Sequence, residues 1–176
     1  MQLIDHRDIK ADPAIVWASI LDPDVLKACV PGCESLTGSP ENGYEAVVVQ
    51  KVGPVKARFT GVVTLSGIVP GREVTISGEG KGGAAGFAKG GAKVVLAPSD
   101  TGTSLSYEVE AKVGGKLAQL GSRIIDGFAK KMADQFFERF QETVEGPVEP
   151  ETPAGEAGGA GDEKPKKVWY KRVLGG

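Results

Sequence analysis

Two cysteines and one histidine are the side chains best suited to nucleophilic or metal chemistry in this sequence. Cys29 and Cys33 enclose Val-Pro-Gly in the stretch CVPGC, and His6 is far from both along the chain. A structural zinc site takes four Cys or His ligands, so these three residues do not favour a metal centre. A nucleophilic cysteine needs a neighbouring base, and His6 is the only histidine. We interpret the cysteines as a structural pair at a Pro31-Gly32 turn, with a redox or adduct-forming role as the alternative.

A second candidate motif is GEGKGG (78–83), which matches the G-x-G-x-x-G pattern of dinucleotide-binding proteins. That chemistry requires a strand before the glycines and a helix after them, so that helix N–H groups meet the pyrophosphate. Here the β-rich run AAGFAKGGAKVVL follows instead. The glycines are therefore expected to serve a hairpin, bulges and strand bending.

The sequence contains no clear set of residues for acid–base catalysis. Glu108 and Glu110 alternate along one face of a strand, which is usually the face in contact with water. The polar candidates for a site inside an apolar pocket are His6, Glu45, Glu79 and Arg123, and the sequence does not bring them together. We therefore assign no catalytic residue and expect a protein that is not an enzyme.

The whole-chain numbers predict one domain with an appendage. The 176 residues carry a net charge of −2 and a pI near 5.6, which argues against nucleic-acid binding. Only two cysteines are present, which is compatible with a reducing compartment. No segment resembles a signal peptide or approaches the roughly 18 apolar residues of a membrane span. We expect a cytoplasmic protein that touches the inner face of the cytoplasmic membrane peripherally.

Turn residues and periodicity divide the chain into elements. Residues 2–9 predict a strand, Asp12-Pro13 begins a short helix, and the DPD at 22–24 begins a second one that ends near Ala28. Residues 34–113 predict about six antiparallel strands. Apolar residues every three or four positions from Leu117 to Phe140 predict one long amphipathic helix. The expected class is α+β: a curved sheet of six to seven strands wrapped on a C-terminal helix, within a domain of residues 1–146.

A sheet with one apolar face covered by a single helix encloses volume. Most large rings of the domain are expected to pack in the core. Many small residues surround them, however, and small side chains facing a helix leave room for a ligand. The candidates that we predict to line an apolar pocket are Trp17, Phe59, Phe87, Tyr107, Leu120, Ile124, Phe128 and Met132.

The C-terminal segment differs in composition from the domain. Residues 147–163 are rich in Pro, Gly, Ala and acids and predict a disordered linker, whereas 164–176 read KPKKVWYKRVLGG. Basic residues with apolar neighbours favour reversible contact with an anionic membrane or with a partner protein. The residues expected to make this contact are Lys166, Lys167, Trp169, Tyr170, Lys171, Arg172, Val173 and Leu174.

Three stretches carry a family resemblance: DPAIVWASILDPDVLKACVPGCESL, GKGGAAGFAKGGAKVVL and VGGKLAQLGSRIIDGFAKKMADQFFERF. Together they resemble the CoxG family of carbon monoxide dehydrogenase subunits, in the START/Bet v 1-like (SRPBCC) superfamily, over about residues 1–145. The resemblance implies a helix-grip fold with an internal hydrophobic cavity. It carries no catalytic residue over to this chain.

The resemblance also implies a function. It suggests a non-catalytic accessory of a molybdenum hydroxylase of the aerobic CO dehydrogenase type, which helps to recruit that enzyme to the membrane. The cavity would bind an apolar ligand, a lipid or a quinone such as menaquinone or ubiquinone. The alternative is a helix-grip enzyme, a cyclase or hydrolase acting on an apolar small molecule.

Overall fold

The computed structural model describes residues 1–146. It opens with strand β1 (Gln2–Ile9), followed by helices α1 (Pro13–Leu21) and α2 (Pro23–Cys29). Asp12 precedes α1 in an extended conformation, with Pro13 in the first turn as predicted. Asp22 caps α2, since its Oδ1 accepts from the backbone N–H of Asp24 at 2.8 Å. The helix continues one residue beyond the predicted end at Ala28.

The remaining strands form an antiparallel meander, as the sequence predicts. They are β2 (Cys33–Ser39), β3 (Gly43–Val52), β4 (Val55–Val69), β5 (Glu73–Lys81), β6 (Phe87–Ser99) and β7 (Gly102–Gly114). Strand β1 pairs with β7 at one edge of the sheet, so the spatial order is β1-β7-β6-β5-β4-β3-β2. All strand pairs are antiparallel.

One face of the sheet is exposed to solvent, and the other is covered by the helices. On β7, Leu105 and Tyr107 are buried whereas Ser106 and Glu108 are exposed, because successive side chains point to opposite faces. The core lies between the covered face and the helices. Its fully buried apolar members are Ile9, Val16, Val25, Cys29, Val74, Leu105, Phe140 and Val144.

The predicted long helix is interrupted near its start, which corrects the expectation of one continuous element. A short α3 (Lys116–Gln119) precedes α4 (Ser122–Glu145). Gly121 between them has a φ of 91°, a left-handed conformation that a right-handed helix cannot contain. Leu117 and Leu120 therefore lie before the break, and the apolar repeat spans two helices.

Helix α4 buries its two halves unequally. Phe137, Phe140 and Val144 in the C-terminal half are buried, whereas none of the residues from Ser122 to Phe136 is. The C-terminal half therefore anchors the helix on the core. The N-terminal half lies over the sheet without closing on it, and this position leaves the space described below.

The glycine motif spans the end of β5 and the turn that leads into β6. Gly78 and Gly80 lie within β5, and Gly83–Ala85 form one 3-10 turn before β6 begins. A Cβ on Gly82 would collide with the Phe59 ring, so the ring packs directly on this backbone. A strand, not a helix, follows the motif, whereas the dinucleotide-binding pattern requires a helix at this point.

Helix α4 ends at Glu145, and Gly146 follows it with a φ of 74°. The predicted linker 147–163 and the predicted contact peptide 164–176 lie outside the described residues. Within residues 1–146, no helix is both long and apolar enough to cross a membrane.

Candidate ligand cavity

An apolar cavity of about 380 Å³ lies between the covered face of the sheet and the helices. Every strand from β2 to β7 contributes to its wall, together with α1, α2, the turn after α2 and α4. Its volume is in the range of small-molecule sites. The lining residues are Ile20, Leu21, Leu26, Val30, Pro31, Leu36, Tyr44, Ala46, Val63, Leu65, Ile76, Ala92, Val94, Tyr107, Val109, Met132, Ala133, Phe136 and Phe137.

The two tyrosines supply the polar side-chain groups of this lining, and both hydroxyls are engaged. Tyr44 Oη donates to the carbonyl of Leu21 at 2.7 Å, which joins β3 to the end of α1. Tyr107 Oη accepts from Arg7 Nη2 at 3.2 Å. Burial, with the nearby charges of Glu41 and Asp22, raises the pKa of Tyr44 to about 12. Tyr44 therefore stays neutral over the ordinary pH range.

An aromatic cluster on α4 forms one wall of the cavity. The Tyr107 and Phe137 rings stack with centroids 4.9 Å apart, and Phe136 meets Phe137 edge to face at 5.0 Å. The Arg7 guanidinium lies 5.1 Å from the Phe137 centroid. These contacts fix the C-terminal half of α4 against β1 and β7.

A polar link lies immediately beside this cluster. Arg7 on β1 donates to Asp134 Oδ1 on α4 at 2.7 Å, and Lys130 Nζ lies 3.0 Å from Asp134 Oδ2. The hydrogen bonds from Arg7 and Lys130 lower the pKa of Asp134. The carboxylate is therefore charged at neutral pH and holds the helix to the edge strand.

A second apolar pocket of about 320 Å³ lies under the N-terminal half of α4. Met132 lines both pockets, so the two spaces are neighbours along the helix. Methionine is unbranched and adaptable, and its side chain can rearrange between them. The second lining consists of Met1, Gln50, Val52, Phe59, Ala88, Ala111, Val113, Leu117, Ile125, Phe128, Ala129 and Met132.

The structure divides the eight predicted cavity residues into two groups, of which the first lines the pockets. Tyr107 and Met132 line the first pocket, and Phe59, Phe128 and Met132 line the second. Contact between these side chains and a ligand stays a prediction.

The other four residues, Trp17, Phe87, Leu120 and Ile124, lie outside both linings. Trp17 is partly buried against the hydrophobic core. Phe87 and Ile124 are each 41% exposed. Leu120 and Ile124 approach Gly53 in the β3–β4 hairpin, on either side of the Gly121 break. Because the break separates α3 from α4, the helical periodicity did not place these two side chains correctly relative to the pockets.

Sequence reasoning overlooked the aliphatic part of the wall. Ile20, Leu26 and Leu36 line the first pocket, as do inward residues of the strands such as Val63 and Val94. The predicted cavity residues were mainly aromatic, whereas the space between a helix and a sheet is lined by every side chain that faces inward. The period-two alternation of the strands carried the missing signal.

The candidates for acid–base chemistry lie elsewhere. His6, Glu45, Glu79 and Arg123 are all exposed and line neither apolar pocket. Among residues 1–146, no group of three or more His, Cys, Asp and Glu side chains is placed to hold a metal ion. These four side chains therefore lie outside the apolar pockets in which the enzyme alternative would need them.

The CVPGC segment forms the predicted turn. Gly32 has a φ of 75°, and its carbonyl accepts from Val49 N–H at 2.9 Å, which docks the turn on β3. Both cysteines are free thiols; Cys29 is buried and Cys33 is half-buried. Burial raises the pKa of both thiols, which disfavours the reactive thiolate.

Comparison with known proteins agrees with this geometry. The model of the CoxG family of carbon monoxide dehydrogenase subunits matches residues 6–145. No curated protein matches the chain.

Solved structures extend the comparison to the fold. A conserved protein from Geobacillus kaustophilus is 30% identical, with a TM-score of 0.76, over 82% of this chain and 95% of that one. A protein from Chromobacterium violaceum is 20% identical, with a TM-score of 0.61, over 83% and 99% of the two chains. Ara h 8.0201 shares the fold at 11% identity, with a TM-score of 0.56 over 82% and 97%. The chain has the Bet v 1-like helix-grip fold and belongs to the CoxG family of carbon monoxide dehydrogenase subunits.

Proposed function

We propose that this protein is a non-catalytic accessory of a molybdenum hydroxylase, which carries an apolar ligand beneath α4. Membership of the family supports an accessory role beside CO dehydrogenase at the level of the family. The ligand class that fits the cavity is a lipid or a quinone such as menaquinone or ubiquinone. Peripheral contact with the cytoplasmic membrane would bring the carrier to the source of that ligand.

The observation that carries this proposal is the apolar cavity of about 380 Å³. Tyr44 Oη donates to the Leu21 carbonyl and Tyr107 Oη accepts from Arg7, so each hydroxyl already has a hydrogen-bond partner within the protein, and the rest of the lining is apolar. Burial of an apolar ligand there is favourable by roughly 25 cal/mol for each Å² removed from water. A quinone would place its ring and the first part of its chain among Phe136, Phe137 and the aliphatic wall.

The pocket under the N-terminal half of α4 supports an elongated ligand. Met132 lines both spaces, and the part of α4 from Ser122 to Phe136 is exposed or only partly buried. An isoprenoid or acyl chain that runs along α4 would occupy both pockets. This arrangement gives carriage without any catalytic group in contact with the ligand.

Extraction and mass spectrometry of the protein purified from its native host test the proposal. We expect an apolar lipid or quinone at near-stoichiometric yield. Ala92→Phe fills the first pocket from β6 and should abolish retention, whereas Ala97→Phe adds the same ring at an exposed position of that strand and should not. Repeated recovery of an empty protein, or equal retention by both variants, would refute carriage in this cavity.

Partner recruitment is tested separately with purified CO dehydrogenase-type hydroxylase. The full chain should bind this enzyme and increase its sedimentation with membranes. Failure to bind the purified enzyme, while a ligand is still retained, would remove the accessory role and leave the carrier role standing.

A further inference from the structure

One end of the sheet gathers basic residues from three parts of the chain. We call it the basic end and define it by residues 49–60, 78–92 and 110–127. Strand pairing brings these ranges together: Lys51 pairs with Lys56 in the β3–β4 hairpin, and Lys81 pairs with both Thr60 and Phe87. Phe87 in turn pairs with Gly114, just before α3. The hairpin, the β5–β6 connection and the α3–α4 bend therefore meet at one end of the domain.

The charge of this end differs from that of the rest of the domain. The three ranges hold eight Lys or Arg and three Asp or Glu, whereas the remainder of residues 1–146 holds eight basic and fifteen acidic residues. All eight basic side chains are exposed: Lys51, Lys56, Arg58, Lys81, Lys89, Lys112, Lys116 and Arg123. Of these eight, only Arg58 belongs to one of the ion pairs of residues 1–146, with Glu34. The basic end therefore carries a net charge of +5, whereas the remainder of residues 1–146 carries −7.

Apolar side chains protrude among these charges. Phe87 and Ile124 are each 41% exposed, and Ile124 lies beside Gly53 at the tip of the β3–β4 hairpin. The second apolar pocket lies at the same end, since Val52, Ala88 and Val113 are among its lining residues. Basic residues around exposed apolar ones are the combination that favours the interface of an anionic bilayer.

We propose that the basic end docks on an anionic membrane surface, with Phe87 and Ile124 at the lipid interface and the second pocket facing the bilayer. This inference rests on the proposed carriage of an apolar ligand, because it supplies the route by which such a ligand would pass between membrane and cavity. Charge complementarity selects the anionic surface, and the protruding apolar residues favour lipid over an acidic protein.

The basic end is distinct from the predicted contact peptide. The chain leaves the domain toward that peptide at Gly146, which follows the opposite end of α4. A helix of 24 residues is about 36 Å long, so the exit point and the α3–α4 bend are separated by most of the domain.

Vesicle sedimentation of the full chain tests the docking surface. The variant Lys51→Gln/Lys81→Gln/Lys116→Gln lowers the charge of the basic end by three. A matched control, Lys10→Gln/Lys27→Gln/Arg72→Gln, makes the same change at exposed positions elsewhere. With phosphatidylglycerol-containing vesicles at low salt, the first variant should bind at least about tenfold more weakly than the wild type, and the control within about twofold. Neither variant nor the wild type should bind purely zwitterionic vesicles strongly, and added salt should weaken wild-type binding.

Each result decides the inference. Equal loss in both variants would mean attraction by net charge alone, and no loss in the first variant would mean that another segment makes the contact; either overturns the proposal. Retained vesicle binding with lost binding to purified hydroxylase would assign the basic end to a protein partner instead. Ligand content, measured on the same samples by mass spectrometry, separates this inference from the proposed function: a full cavity with lost vesicle binding supports docking, whereas an empty wild-type cavity refutes carriage alone.

Discussion

Arg7 on the edge strand and Asp134 on the C-terminal helix are joined by a hydrogen-bonded ion pair of 2.7 Å. The same guanidinium reaches Tyr107 Oη at 3.2 Å and lies over the Phe137 ring. One side chain thus connects β1, β7 and α4 at the wall of the cavity. These contacts hold the C-terminal half of α4. The N-terminal half, which covers the second pocket, takes no part in them.

Asp134→Asn should reduce stability by less than about 1 kcal/mol at pH 7, because the carboxylate is almost half exposed and solvent screens the pair. Its pKa is lowered in the folded state, so its contribution is present above the unfolded-state value near 4 and is lost as pH falls through the lowered folded value. Urea unfolding at several pH values measures the difference from the wild type, which should vanish in acid. Glu138→Gln, at an exposed site on the same helix, is the control, and a difference that grows in acid would contradict the pairing.

Tyr44→Phe should cost about 1 kcal/mol at neutral pH, because the carbonyl of Leu21 loses its donor. The folded-state pKa of about 12 lies above the unfolded value near 10. The wild type should therefore lose this stability as pH rises from about 10 to 12, and the phenylalanine variant should lack that part of the decline. Chemical denaturation over this pH range measures the free energy of unfolding of both proteins. If the two free energies decline in parallel, folding does not suppress ionisation of the Tyr44 hydroxyl.

Gly127→Ala should stabilise the protein by about 1 kcal/mol, since Gly127 lies inside α4 and a Cβ there would meet open space. Gly121→Ala is the matched control. A Cβ on Gly121 also meets open space, but its φ of 91° and ψ of 157° lie in a region almost restricted to glycine, which costs an alanine about 1 to 3 kcal/mol. Thermal unfolding should move in opposite directions for the two variants. A destabilised Gly127→Ala would show that a bend in α4 at this glycine matters to the fold.

Cys33 should react with iodoacetamide before Cys29 does. Cys29 is fully buried beside Thr143, whereas Cys33 is half-buried at the start of β2. Both reactions should be slow at pH 7 because burial raises both pKa values. Peptide mass spectrometry over time measures the order, and the urea-unfolded chain, in which both thiols react alike, is the control. Rapid modification of Cys29 would revive the adduct-forming alternative.

Truncation after Pro147 removes the predicted linker and contact peptide, Trp169 and Tyr170 included. The thermal midpoint should change little, because the core described above is built from residues before 147. Binding to anionic vesicles or to the purified hydroxylase should weaken, since five basic residues are lost from the tip. Unchanged sedimentation together with unchanged hydroxylase binding would contradict a contact role for this segment.

The sequence by itself determined the order of the elements and the character of each face. Three local patterns were reliable because neighbouring residues alone set the geometry. They are the DPD capping signal, the alternation of Leu105, Tyr107 and Val109 with Ser106 and Glu108, and the apolar repeat of the last helix. Family membership was also readable, because the stretches that carry it are contiguous.

Only the tertiary structure decided which residues line the cavity. Gly121 adopts a left-handed conformation that no periodicity reveals, and Leu120 and Ile124 beside it lie away from the pockets. Arg7 meets Asp134 across 127 residues, and the basic end combines three separate ranges through strand pairing. Such contacts depend on how distant elements pack against one another, and a single sequence records residue types without recording that packing.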